Sequence, residues 1–199
     1  NDHIALDIGV AQVAALLVER LQCRAILGGI SRLVMDLNRE EDAPGLIPLK
    51  SDGHTIAGNA DADKILRLDR FYHPYHAEIT AQLAGIVRPF ILSLHSFTPA
   101  LKDVPAQMRP WEMGMLYNQD DRAARIAIPA LERAGLIVGD QLPYSGILLN
   151  ATMNRHAEGN GIPYLGVEMR QDISGTPAGQ QRFADLLEPV VRSCATQLA

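Results

Sequence analysis

Three stretches of this chain run through apolar residues and end in groups able to do chemistry. Phe90-Ile91-Leu92-Ser93-Leu94 leads into His95-Ser96-Phe97, Tyr164-Leu165-Gly166-Val167 leads into Glu168, and Val34-Met35-Asp36-Leu37 leads into Asn38-Arg39. Neutral imidazole is the commonest protein ligand for zinc. A carboxylate directly after a buried run is costly to bury unpaired, whereas one held in a cleft can act as a general base. An arginine at a strand end can fork onto a carboxylate or polarise a carbonyl. Each group also has a plainer reading. A lone histidine at a strand end is more often structural than a ligand. Glu168 could pair with Arg170. Arg39 could pair with Asp36 or Glu40, and Arg32 and Arg109 share that ambiguity.

The elements that would position these groups follow from periodicity and punctuation. Apolar residues from Ile4 to Leu21 recur at helical spacing. Ala25 to Leu27 and Leu33 to Leu37 read as strands around the Gly28-Gly29 break. Residues 40–60 carry Pro44, Gly45, Pro48, Gly53 and Gly58 and read as a long loop. Residues 61–87 are helical in pattern, with Pro74 placing a break near Tyr72. Strands are expected over 90–95, 113–117, 136–138 and 164–169, and helices from Asp120 or Asp121 to Ala134, over 150–158, and from Thr176 or Pro177 to the end. Strands alternating with helices predict an α/β fold, its mostly parallel sheet covered on both faces. Ligands of such sheets bind outside the carboxyl ends of the strands.

Composition narrows the function. At 199 residues, 47% hydrophobic and 21% charged, the chain suits one globular domain with a real core. A net charge of −5, with no Lys/Arg cluster, argues against a nucleic-acid partner. The excess of arginine over lysine suits bidentate recognition of carboxylates, or equally reflects a GC-rich coding sequence. No apolar run reaches the roughly 20 residues of a membrane span. Asn1-Asp2-His3 offers neither a signal segment nor an initiator Met and looks like the start of a mature, cleaved or truncated chain. Cys23 and Cys194 lie far apart and read as the reduced, mostly buried thiols of a cytoplasmic protein. His73 and His76 read as helix-face residues, and His54 and His156 as solvent-facing. The Gly28-Gly29 pair lacks dinucleotide-binding spacing, and no GxSxG elbow occurs. Oligomeric state leaves no signature in the sequence.

Six segments in order resemble the N-formylglutamate amidohydrolase family. They are residues 2–9 (Asp2-His3-Ile4-Ala5-Leu6-Asp7-Ile8-Gly9), 31–39 (Ser31-Arg32 to Asn38-Arg39), Pro74-Tyr75-His76, residues 94–99 (Leu94-His95-Ser96 to Pro99), Arg109-Pro110-Trp111, and residues 167–172 (Val167-Glu168 to Asp172). The family is similar to zinc carboxypeptidases and acyl-amino-acid deacylases. The resemblance therefore implies a three-layer α/β/α, phosphorylase/hydrolase-like domain with a mixed, mostly parallel sheet. It implies a zinc-dependent hydrolase of a small acidic N-acyl amino acid such as N-formylglutamate. By the same resemblance His95 would bind Zn2+, with His3 and Asp7 the nearest candidates to complete the site. Glu168 would be the base, and Asn38 and Arg39 would hold the substrate carboxylate or the scissile carbonyl; Arg39, with Arg32 or Arg109, would anchor that carboxylate or steady the oxyanion, and Ser96 is a further substrate-binding candidate. Family members carry a further strand and a His-containing turn ahead of the Asp2-His3 segment, which this sequence is expected to lack. A deacylase of another acyl group, or a non-catalytic binding protein on the same fold, are the alternatives.

Overall fold

The computed structural model describes residues 4–100 and 109–199. Residues 4–9 form turns and lead into helix α1 (Val10–Leu21), whose Val13 and Leu17 lie one helical turn apart and are buried. Gly9 adopts φ 80° at the helix entrance, and a Cβ there would lie 1.9 Å from the Ser174 carbonyl oxygen. Only glycine tolerates both conditions. With Ser174 Oγ donating to the Ile8 carbonyl at 2.8 Å, this contact pins residues 7–9 against the C-terminal half of the chain.

Two-residue strands β1 (Lys50–Ser51) and β2 (His54–Thr55) make a small hairpin inside the expected loop. Helices α2 (Lys64–Arg67) and α3 (His73–Leu83) flank a π-helical turn at Leu68–Tyr72, so the break expected near Tyr72 takes the form of a widened turn. Strand β3 (Ile91–Phe97), strand β4 (Met113–Leu116), helix α4 (Arg122–Arg133), strand β5 (Val138–Asp140), helix α5 (Ala151–His156), strand β6 (Tyr164–Arg170) and helices α6 (Gln171–Ser174) and α7 (Pro177–Leu198) complete the order.

Strands β3, β6, β4 and β5 form one sheet in that order, with β3–β6 and β4–β5 parallel and β6–β4 antiparallel. The expected mixed, mostly parallel α/β sheet flanked by helices is what forms. Alternation along β6 divides the two faces. Leu165, Val167 and Met169 pack with α1, α4 and α7 in the main core, whereas Tyr164 packs with Met153 and Ala157 at α5. Glu168 and its register partner His95 lie on the Tyr164 face, away from the main core.

Two expected strands do not form. Residues 25–27 are irregular, and 33–37 mix turns with irregular chain. The apolar side chains of the second segment are satisfied elsewhere: Met35 joins Leu46 and Tyr72 in a small separate cluster. Its backbone is held by side chains and a loop in place of a ladder. Asn59 Nδ2 donates to the Leu33 carbonyl at 2.7 Å, Arg67 Nη1 to the Val34 carbonyl at 2.6 Å, and Asp36 N to the Leu46 carbonyl at 2.8 Å. A short apolar run signals burial without saying in what conformation.

Both cysteines are free; Cys194 is buried, but Cys23 is exposed because it lies just beyond α1. No helix among the described residues is long and apolar enough to cross a membrane.

Candidate active site

His95 and Glu168 stand opposite one another on the parallel strands β3 and β6, near their carboxyl ends. Asp7 approaches this pair from the turn ahead of α1. Its Oδ2 lies 2.9 Å from His95 Nδ1, and its Oδ1 receives Arg32 Nη1 at 3.2 Å. Arg32 also donates through Nη2 to Asp36 Oδ2 at 3.1 Å. Arg39 Nε reaches the same oxygen at 3.4 Å, which realises the intramolecular Arg–Asp pair weighed from the sequence. The pairing uses only Nε, and the terminal nitrogens of Arg39 meet no acceptor among the described residues.

Asn38 is oriented from the other side. Its Oδ1 accepts from the Thr152 backbone N–H at 3.0 Å at the start of α5, while Thr152 Oγ1 donates to the Leu37 carbonyl at 3.3 Å. With its oxygen engaged, the side-chain amide has its NH2 left to offer.

These groups converge on a pocket of about 140 Å³ lined by Arg32, Asn38, Arg39, His95, Tyr144, Leu149 and Glu168. The space suits a small molecule, below the few hundred Å³ common for larger ligands. Five of the seven lining residues are ones the sequence nominated. Tyr144 and Leu149 were missed. The turn residues around Tyr144 (Pro143, Ser145, Gly146) mark a loop but not the surface onto which it folds.

That surface is shaped by glycine. Gly114 is the β4 register partner of Glu168, and a Cβ there would lie 2.2 Å from the Leu142 carbonyl oxygen. A Cβ on Gly139 of β5 would lie 2.3 Å from the same oxygen. The bare sheet at these two positions lets the loop after β5 fold directly onto the face that carries Glu168.

Arg109 does not line the pocket; it backs it, donating through Nη1 to Tyr144 Oη at 3.1 Å. Ser96 faces away from it, since it follows His95 on β3 and pairs in register with Met169 of the main core. Its Oγ is buried without a hydrogen-bond partner among the described residues. His3 lies outside the described residues. His156, expected to face solvent, instead pairs with His76 of α3. Both are buried, stacked with ring centroids 5.1 Å apart, and His76 Nδ1 lies 2.8 Å from His156 Nε2.

Glu168 has the most unusual electrostatics. Burial pushes its carboxyl up to about 7; Asp7 adds to the rise, and His95, Arg32 and Arg109 oppose it. Its Oε2 is buried and has no hydrogen-bond partner among the described residues. Burial opposes protonation of His95, but the hydrogen bond and charge of Asp7 outweigh it and raise the imidazole above its ordinary value. Burial likewise opposes ionisation of Asp7, yet His95 and Arg32 hold it below the ordinary carboxylate range. A charged Asp7 and a proton-hungry Glu168 thus flank one imidazole. Titratable groups driven apart in this manner mark acid–base sites.

Among the described residues, no three His, Cys, Asp or Glu side chains gather closely enough to hold a metal ion. Both Asp7 oxygens are engaged, one by His95 and one by Arg32. The second ring nitrogen of His95, Nε2, lies 3.3 Å from Ser93 Oγ. An imidazole whose Nδ1 is held by a carboxylate is the arrangement that orients histidine for a ligand at Nε2.

A histidine and a buried carboxylate set in a polar pocket at the carboxyl ends of two parallel strands place the molecule among α/β proteins with a small-molecule pocket at the sheet edge. The sequence comparison is more particular. A family model for N-formylglutamate amidohydrolase matches residues 1–174, and the chain belongs to that family. A crystal structure of a gene product from Agrobacterium tumefaciens is similar at a TM-score of 0.88 and 28% identity, covering 99% of this chain and 80% of that one. The N-formylglutamate amidohydrolase of Ralstonia eutropha shares the fold at a TM-score of 0.57 and 20% identity, over 84% of this chain and 73% of that one. No curated protein matches the sequence.

Proposed function

We propose that this chain hydrolyses the amide bond of a small acidic N-acyl amino acid, N-formylglutamate being the first candidate, in the cytoplasm. The observation that carries the reading is Glu168: a buried carboxylate with one unpartnered oxygen, opening onto the pocket beside His95 and raised to about 7. A base with that affinity for protons takes one from water near neutrality and returns it to the leaving amine. The unengaged nitrogens of Arg39 and the amide NH2 of Asn38 suit a substrate carboxylate or the oxygen that gains charge as water adds. Arg32 holds Asp7 and Asp36 and so keeps both sides of the pocket in register.

Zinc dependence belongs to the same proposal: His95 would bind through Nε2 together with His3, while Asp7, expected from the resemblance as a further ligand, spends its two oxygens on His95 Nδ1 and Arg32. His95 and Asp7 are adjacent, but the described residues do not complete a three-ligand site, and the acid–base roles above are assigned to protein groups alone. When bound, zinc would supply Lewis acidity to the acyl carbonyl.

Replacing Glu168 by Gln keeps the shape and removes the base. We expect Glu168→Gln to lower deformylation of N-formylglutamate by about 100-fold or more without changing metal content. Unaltered turnover would sink the assignment. Formyl, acetyl and succinyl substrates assayed side by side identify the acyl group.

A further inference from the structure

Tyr144 lines the pocket together with His95 and Glu168, and its phenol is engaged by Arg109. Its oxygen accepts from Arg109 Nη1 at 3.1 Å, and the guanidinium carbon lies 5.0 Å from its ring centroid. Arg109 is itself fixed at the ends of two site strands. The same Nη1 donates to the Thr98 carbonyl at 3.1 Å, the Arg109 backbone N–H donates to the Pro99 carbonyl at 2.9 Å, and Arg170 Nη1 donates to the Arg109 carbonyl at 3.4 Å. A phenol can accept and donate at once. Here the accepting side is occupied by a cation, and the O–H has no acceptor among the described residues. A cationic donor on the oxygen strengthens the remaining O–H as a donor, and the acceptor that gains most is an anion.

The pocket thus has two anion-seeking points on separate segments, the free nitrogens of Arg39 in the 36–39 turn and the Tyr144 O–H in the loop after β5. One carboxylate would use one of them; an N-acyl amino acid with an acidic side chain would use both. We infer that Tyr144, backed by Arg109, is a substrate-contacting residue that selects the side-chain carboxylate, while Arg39 holds the α-carboxylate. The inference rests on the amidohydrolase reading above and makes the pocket a reader of dicarboxylates.

Tyr144→Phe keeps the ring against Arg109 and deletes only the O–H, so a thermal melt matching wild type confirms an intact fold. Kinetics on N-formylglutamate and on its near-isostere N-formylglutamine separate charge from shape. The expected result is a KM for N-formylglutamate raised by about 10-fold or more, the scale of one hydrogen bond to a charged group, with kcat and the N-formylglutamine parameters changed by less than roughly 3-fold. Equal losses on the two substrates, a loss confined to kcat, or no loss overturns the inference. Calorimetric titration with glutarate and butyrate supplies a readout that needs no turnover. If the wild type hydrolyses neither substrate, the amidohydrolase reading fails by itself. Tyr144 is then judged by whether Tyr144→Phe weakens glutarate binding and spares butyrate. Unchanged glutarate binding, or none in the wild type, overturns it.

Discussion

Asp7 Oδ2 sits 2.9 Å from His95 Nδ1, joining residues 88 positions apart in sequence. The bond fixes which imidazole nitrogen remains for chemistry. Its geometry depends on Gly9 and Ser174, which clamp the turn carrying Asp7.

Asp7→Asn keeps the shape but removes the charge that holds the histidine proton. We expect kcat to fall by about 10- to 100-fold, the usual cost of losing a carboxylate behind a functional histidine, with KM changing less. Steady-state kinetics decide this; a variant within about 2-fold of wild type in kcat shows that the contact is only structural.

The raised Glu168 carboxyl links activity and stability with opposite signs. In its proposed role as base it must be ionised, so kcat/KM is expected to rise with pH through about 7. For stability, the folded state binds this proton more tightly than the unfolded state, whose value lies near 4.5. Folding stability is therefore lost as pH rises from 4.5 to about 7 and stays lost above it. Glu168→Gln should remove that loss and stabilise chelator-treated protein near pH 8 by at most about 3 kcal/mol. Melting curves for the two proteins near pH 5 and pH 8 test this, and a variant no more stable near pH 8 refutes it.

The buried His76–His156 pair gives the reverse sign. Burial, then the Arg155 cation and His156, push His76 down to about 4 from 6.5, and burial with Arg155 lowers His156 as well. The unfolded chain binds these protons first, so the stabilisation is complete above about 6.5 and is lost as pH falls towards 4. Because Glu168 acts oppositely over the same window, the informative quantity is a difference between proteins. The His76→Gln/His156→Gln double variant should lose less stability than wild type between about pH 7 and pH 5 by calorimetry. Parallel losses would count against the pair.

Gly114→Ala places a methyl where the Leu142 carbonyl lies, 2.2 Å from the ideal Cβ position. Backbone must move, at a cost of about 1–3 kcal/mol. A lowered melting temperature with a raised KM is expected. Wild-type values for both would show that the loop yields freely.

The sequence made legible the parts of this molecule that depend on local pattern. The runs ending at His95 and Glu168 form strands β3 and β6, and the pattern from Pro177 onward forms α7. The resemblance that brought His95, Glu168, Asn38, Arg39 and Arg32 together is matched by a pocket they share. What escaped depends on long-range contact. The run at 33–37 looks strand-like because apolar side chains need burial, yet its burial comes from Leu46 and Tyr72 in a loop cluster. His156 looked exposed because nothing local reveals a partner 80 residues away. Tyr144 escaped for the same reason, since its place depends on two glycines in other strands.

Those two glycines also bear on how this site tolerates change. The loop over Glu168 has no core of its own at the contact; its Leu142 carbonyl rests on bare backbone at positions 114 and 139. A methyl at either position meets Leu142 first and so acts on the chemistry from below. Inactivating substitutions should therefore be found in the floor of the sheet as well as around the substrate, and a drift in substrate preference can begin with one methyl group on a strand.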